Sequence, residues 1–174
     1  MVNIQIPASF QHDIFYTVTQ IEVDEKTDRK TAALSYPFWY EIAYENGIAG
    51  TPPWQENINQ HIKAFMQWWE EHLPFLDECW DERDKEKAAP YMRLGLAHWL
   101  CTLFWMNERP VPSAEPEELI AESRKLAHKP INVEERLSFL LEYPNYFHSY
   151  LQLKELYTEV KKKEALAKRS RNHE

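Results

Sequence analysis

The stretch that most restricts the fold is Ala89–Met106, APYMRLGLAHWLCTLFWM, in which only Arg93, Gly95, His98 and Thr102 depart from apolar or aromatic character. As a helix it has no face suited to water, so it belongs at the centre of the molecule with other helices wrapped around it. At about 1.5 Å per residue it would reach about 27 Å, enough to span a bilayer at the margin. Arg93 and His98 interrupt it and its flanks are acidic, which favours a protein core over a membrane.

A chain of 174 residues is one domain and buries roughly 70% of its unfolded surface without covalent staples. Three glycines and seven tryptophans favour helices packed through large rings over a sheet protein with many tight turns. The two cysteines, Cys79 and Cys101, sit among apolar helical residues and read as small core residues. With no secretory apolar run at the start, the cytoplasm is the expected compartment. The whole-chain charge of −8 is uneven: from Lys161 onward six cations face two acids, which leaves −12 for residues 1–160. The body should therefore repel nucleic acid and anionic membrane, and only the tail could attract them.

Taken in order, residues 1–30 read as an extended arm. Val2, Ile4 and Ile6 alternate with polar residues, but Pro7 ends the run and no glycine turn supplies a partner strand. A weaker alternation over Ile14–Val23 leaves a small hairpin open. A helix is predicted from about Ser35 to Asn46 with Pro37 in its first turn, closed by Gly47. Trp54, after a Pro-Pro pair, should return to the core. Ile58, Ile62, Phe65, Trp69 and Leu73 make an amphipathic stripe to a break at Pro74. A second helix from Phe75 would bury Leu76, Cys79 and Trp80 and show Asp77, Glu78, Asp81 and Glu82. Pro90 is placed in the first turn of the central helix. A short helix opens at Pro116. Another starts at Asn132, with Glu135 as reciprocating acid, and carries Val133, Leu137, Leu140 and Leu141 inward. Asn145 can cap the last helix, whose stripe is Tyr146, Tyr150, Leu153, Tyr157 and Val160. The fold class is all-α: a single domain of six or seven helices spanning 31–160, with a basic tail, 161–174, expected to fray.

Candidate chemistry is sparse. His61 and His72 are separated by roughly 16 Å of helical rise, too far for one ion, and the sequence offers no Cys-x-x-Cys or His-Glu-x-x-His; no metal or cofactor is expected. The acidic face of Asp77, Glu78, Asp81, Glu82, Asp84 and Glu86 lacks the glycine and alternating oxygens of a calcium loop and reads as solvated. His98 and Arg93 stand out in the central helix, but without a nucleophile or second acid at fixed spacing they read as a satisfied core histidine and a surface-reaching arginine.

The sharpest feature with functional meaning is Tyr143-Pro-Asn-Tyr-Phe-His-Ser-Tyr150. Tyr143, Tyr146, Phe147 and Tyr150 gather aromatic bodies with polar tips around a helix start, and Arg136 lies one helix earlier, a composition that protein interfaces favour. The tail supplies Lys161, Lys162, Lys163, Lys168, Arg169 and Arg171 as an electrostatic handle for nucleic acid or an acidic protein, though it lacks stacking aromatics.

The runs LFWMNERPV (Leu103–Val111) and KPINVEERLSFLLEYPNYFHSYLQLKELYTE (Lys129–Glu159), with YPFWYEI (Tyr36–Ile42) and the PPW before the second helix, resemble the YpoC-like family of Firmicutes proteins. The resemblance implies an intracellular, helical bacterial protein encoded near DNA replication and repair genes, and it carries over no catalytic residue. The leading expectation is a non-enzymatic protein-interaction module that does not enter membranes. The alternatives are a nucleic-acid-associated protein using the tail, and a small-ligand binder or enzyme with a pocket near His98.

Overall fold

The computed structural model describes residues 1–173. It is mostly helical, as the hydrophobic pattern predicts. Strands β1 (Val2–Gln5) and β2 (Gln20–Val23) precede seven helices: α1 (Arg29–Ser35), α2 (Trp39–Glu45), α3 (Ile58–Asp81), α4 (Lys85–Trp105), α5 (Pro116–Arg124), α6 (Val133–Glu142) and α7 (Phe147–Asn172). Helix α4 is the centre, with every residue from Gly95 to Met106 buried. Asp84 starts it by accepting the Lys87 N–H at 3.0 Å. Helix α3 runs back along α4, placing Phe65 against His98 and Trp105. Helix α7 runs antiparallel to α3, with Tyr157 stacked on Trp69 at 4.4 Å. Cys79 and Cys101 are free and buried. Among the described residues no helix is long and apolar enough to cross a membrane.

The N-terminal segment is not an extended arm. Val2 pairs with Val23 and Gln5 with Gln20 in an antiparallel hairpin. No tight glycine turn is needed, because the long connection is itself anchored in the core. Phe10 and Phe15 pack on Phe38 at 5.3 and 4.7 Å, and the Tyr16 hydroxyl donates to the Pro37 carbonyl at 2.7 Å.

Local proline rules gave three misplaced boundaries. Pro74 does not end a helix: α3 continues to Asp81, its proline ring on the exposed side and Trp68, Trp69, Leu76, Cys79 and Trp80 buried on either side of it. That burial outweighs the one backbone bond lost at the Glu70 carbonyl. Pro90 likewise lies inside α4 and not in its first turn, since α4 begins at Lys85. Pro37 has the opposite effect. It holds Tyr36 extended (φ −125°) between α1, which the sequence did not predict, and α2, which starts at Trp39 after Pro37 and not at Ser35 before it.

One further expectation changes. Asn132 sits before α6 in the left-handed region (φ 55°) and its side chain caps nothing. The basic tail is helical to Asn172, and its end has a packing partner: the Arg171 guanidinium donates to the Met106 carbonyl at 3.0 Å, capping α4.

Candidate functional site

The junction of α6 and α7 is the molecule's main exposed aromatic surface. Helix α6 turns Val133, Leu137, Leu140 and Leu141 into the core, so Phe139 stands on the opposite face, 39% exposed. Four residues on, Tyr143 ends the helix, and its ring meets Phe139 at 5.4 Å. The chain then passes Pro144 and Asn145, whose side-chain amide donates to the Lys85 carbonyl at 2.9 Å and ties the turn to the start of α4. Tyr146 follows as the first residue before α7, its ring 5.3 Å from Tyr143. The Lys85 ammonium lies 4.2 Å above the Tyr146 ring. One helical turn of α7 then presents Phe147 and Leu151, 48% and 41% exposed. The buried Ser149 hydroxyl donates to the Tyr143 carbonyl and fixes the turn from below.

Five of the eleven large apolar side chains exposed anywhere in the described chain therefore fall within residues 139–151. Exposed charges of both signs surround this surface, with Arg83 and Lys85 at the α3–α4 turn and a larger number of acids. Glu135, Glu142 and Glu155 are exposed on α6 and α7, and Glu78, Asp81 and Glu82 on the neighbouring end of α3.

Of the residues picked from sequence, Tyr143 and Tyr146 are exposed on this surface, Tyr150 is buried beneath it and Arg136 is turned toward α7. Tyr150 is 1% exposed, and its hydroxyl donates to the Asp77 carboxylate at 2.5 Å. Burial and that carboxylate push its phenol well above the ordinary range. Arg136 is 15% exposed at its side chain and pairs with Glu159 at 2.8 Å and Glu155 at 3.9 Å, clamping α6 to α7. Phe139 and Leu151 escaped notice, although Phe139 was marked by lying off the inward stripe of its own helix.

The tail cations divide. Lys161 pairs with Glu70 at 3.2 Å. Arg171 pairs with Glu164 at 2.5 Å and also binds the Asn59 side chain, so it faces inward. Lys162, Lys168 and Arg169 are exposed and Lys163 is half-buried.

His98 is fully enclosed, stacked on Phe65 at 4.2 Å and edge-on to Trp68 at 4.7 Å, with Nε2 bonded to the Ala33 carbonyl at 3.2 Å. Burial pushes its pKa down to about 3, so it is a neutral core residue near neutral pH. Arg93 is exposed. A group absent from the sequence reading is Glu41 on α2, 3% exposed. Its Oε1 accepts from the Trp105 indole at 2.8 Å and the Val111 N–H at 3.0 Å, and its Oε2 has no partner. Among the described residues no cation touches it, and burial pushes its carboxyl up to about 7. Among the described residues no three His, Cys, Asp or Glu side chains converge as a metal site requires.

The model of the YpoC-like protein family matches residues 59–172, from the first turn of α3 to the end of α7, so the aromatic junction lies inside the matched region. A protein of Bacillus subtilis (strain 168), described as uncharacterized protein YpoC, is 28% identical over 136 residues, covering 78% of this chain and 80% of that one. No solved structure matches the chain.

Proposed function

We propose that this chain, which belongs to the YpoC-like protein family, is a non-enzymatic docking module that holds a basic, apolar-anchored segment of a partner protein against its α6–α7 junction. The observation that supports this reading is the linked set of exposed rings, Phe139, Tyr143 and Tyr146, continued by Phe147 and Leu151. Monomeric proteins bury most side chains of this size, and contiguous exposed rings set in a charged rim are what protein partners use as anchors. The acids on α3, α6 and α7 supply the charge that would steer a basic segment and set its orientation. Residence in the cytoplasm fits the free thiols of Cys79 and Cys101.

The test is tagged full-length protein used as bait in cells of its source, with hydrogen exchange on any complex recovered. The reading expects a nuclease-resistant partner that slows exchange over 139–151 and is lost from a Tyr146→Ala, Phe147→Ser variant of unchanged melting temperature. A partner retained by that variant, or protection confined to the last turns of α7, would overturn it. The second outcome would favour nucleic-acid association through Lys162, Lys168 and Arg169, the exposed tail cations with no acid within salt-bridge distance among the described residues. Such binding weakens steeply with salt and disappears when the three are replaced.

A further inference from the structure

The seam between α3 and α7 carries a ladder of charges with one rung of the wrong sign. The helices are antiparallel, and at seven-residue steps α3 presents Asp77, Glu70 and Lys63 while α7 presents Lys154, Lys161 and Lys168. Successive rungs are about 10 Å apart along the axis. The first two are ion pairs, Asp77 with Lys154 at 3.6 Å and Glu70 with Lys161 at 3.2 Å. The third sets Lys63 beside Lys168, where the pattern calls for an acid. Among the described residues neither lysine has a carboxylate within 4.0 Å, although Arg171 close by is neutralised by Glu164.

These two lysines also share open space. Both line a cavity of about 630 Å³ at the start of α3 and an adjoining one of about 580 Å³ along the seam. Both cavities are grooves open to solvent, and the volume of each lies within the roughly 300–1,000 Å³ of small-molecule sites. The larger is walled by the carboxamides of Gln55, Asn57 and Gln60, which have no intramolecular hydrogen bond among the described residues and can both donate and accept. Two unpaired ammonium groups over one space repel each other until a compact dianion lies between them, and a phosphate monoester carries about −1.5 to −2 near neutral pH.

We propose that Lys63 and Lys168 bind the phosphate of a small phosphomonoester of nucleotide size, whose remaining polar groups lie among Gln55, Asn57 and Gln60. A nucleic-acid backbone suits the seam less well. A polyanion needs a run of free cations, and the next two lysines along the seam, Lys161 and Lys154, are already paired with Glu70 and Asp77.

The experiment uses the full chain in buffer free of phosphate and sulfate, with inorganic phosphate, AMP, glucose 6-phosphate, adenosine and a single-stranded oligonucleotide as probes. Calorimetry reads affinity and amide NMR reads location. The expected result is that phosphate shifts amides of residues 58–63 and 164–171, that at least one monoester binds about tenfold or more tightly than phosphate, and that adenosine does not bind. Lys63→Glu should lower monoester affinity by about tenfold or more while raising the melting temperature, because it completes the third ion pair with Lys168. Lys63→Met should weaken binding with no gain in stability, and Lys154→Ala should leave binding unchanged. Amides at 58–63 unmoved by phosphate and by both monoesters would overturn the proposal. So would monoesters no tighter than phosphate, binding undiminished in folded Lys63→Glu, or an oligonucleotide bound more tightly than either monoester.

Discussion

Trp69 lies so close across the backbone of Gly95 that a Cβ added to the glycine would stand 2.6 Å from the indole Cζ3. The same indole is stacked on Tyr157, whose hydroxyl donates to the Gly95 carbonyl at 2.5 Å, so α3, α4 and α7 meet at this one point. Alanine at Gly95 would gain about 1 kcal/mol of helix propensity but force apart a seam that buried rings hold on both sides. Gly95→Ala is expected to destabilise the protein by about 2 kcal/mol, read as a lower urea midpoint with unchanged slope. Trp69→Phe in the same chain should recover part of the loss.

That contact also marks the limit of what was legible in the sequence. The unbroken apolar run of α4 announces a buried helix because burial on all sides needs no partner to be inferred. The glycine inside it reads locally as a weakness, and only the indole brought up by α3 makes it a requirement. Pro74 and Pro90 were misread for the same reason, since a rule about one lost backbone bond does not weigh the rings buried around it. At the aromatic junction Tyr143, Tyr146 and Phe147 were visible from composition. Tyr150 was grouped with them because it is four residues from Tyr146, yet Tyr146 precedes the helix while Tyr150 points inward to Asp77. Arg171 could not be placed, because its acceptor, the Met106 carbonyl, lies 65 residues away in the chain.

Glu41 and His98 should act on stability in opposite directions over one pH range. Glu41 titrates near 7 in the folded protein against an ordinary 4.5. Between those values the folded chain keeps a proton that the unfolded chain has released, so stability falls as pH rises, by about 3 kcal/mol in all. His98 titrates near 3 against an ordinary 6.5, so the unfolded chain holds the extra proton and stability rises with pH, by about 5 kcal/mol. The two slopes cancel from about pH 4.5 to 6.5. Denaturant melts at several pH values, taken as differences from wild type, should show Glu41→Gln gaining stability relative to wild type as pH rises from 4.5 to 7. His98→Gln should lose relative stability from 3 to 6.5. Parallel curves for all three proteins would contradict the burial of both groups without an opposite charge beside them.

The turn from α3 to α4 holds Arg83 in the left-handed region, φ 57°, with the Asp84 N–H reaching back to the Cys79 carbonyl at 2.8 Å. This is the position at which helices usually place glycine, and an L side chain there costs about 1 kcal/mol. Arg83 is exposed, so its side chain gives up little when removed. Arg83→Gly should raise stability by about 0.5–1 kcal/mol, visible as a melting temperature a few degrees higher.

The end of α7 should prove structural even if the tail also binds an anion. Arg171 has its side chain 12% exposed, caps α4 at the Met106 carbonyl and meets Oε1 of Glu164, whose side chain is equally enclosed and whose Oε2 has no partner. Arg171→Met removes the cap and leaves a half-enclosed carboxylate without its cation. The expected loss is about 2 kcal/mol, and Arg171→Met with Glu164→Gln should lose less than Arg171→Met alone, because the orphaned charge is gone. Replacing the exposed Arg169 in the same turn should change stability by less than about 0.5 kcal/mol. Losses below about 0.5 kcal/mol at both arginines, measured by urea denaturation, would show that the last turn of α7 carries no structural role.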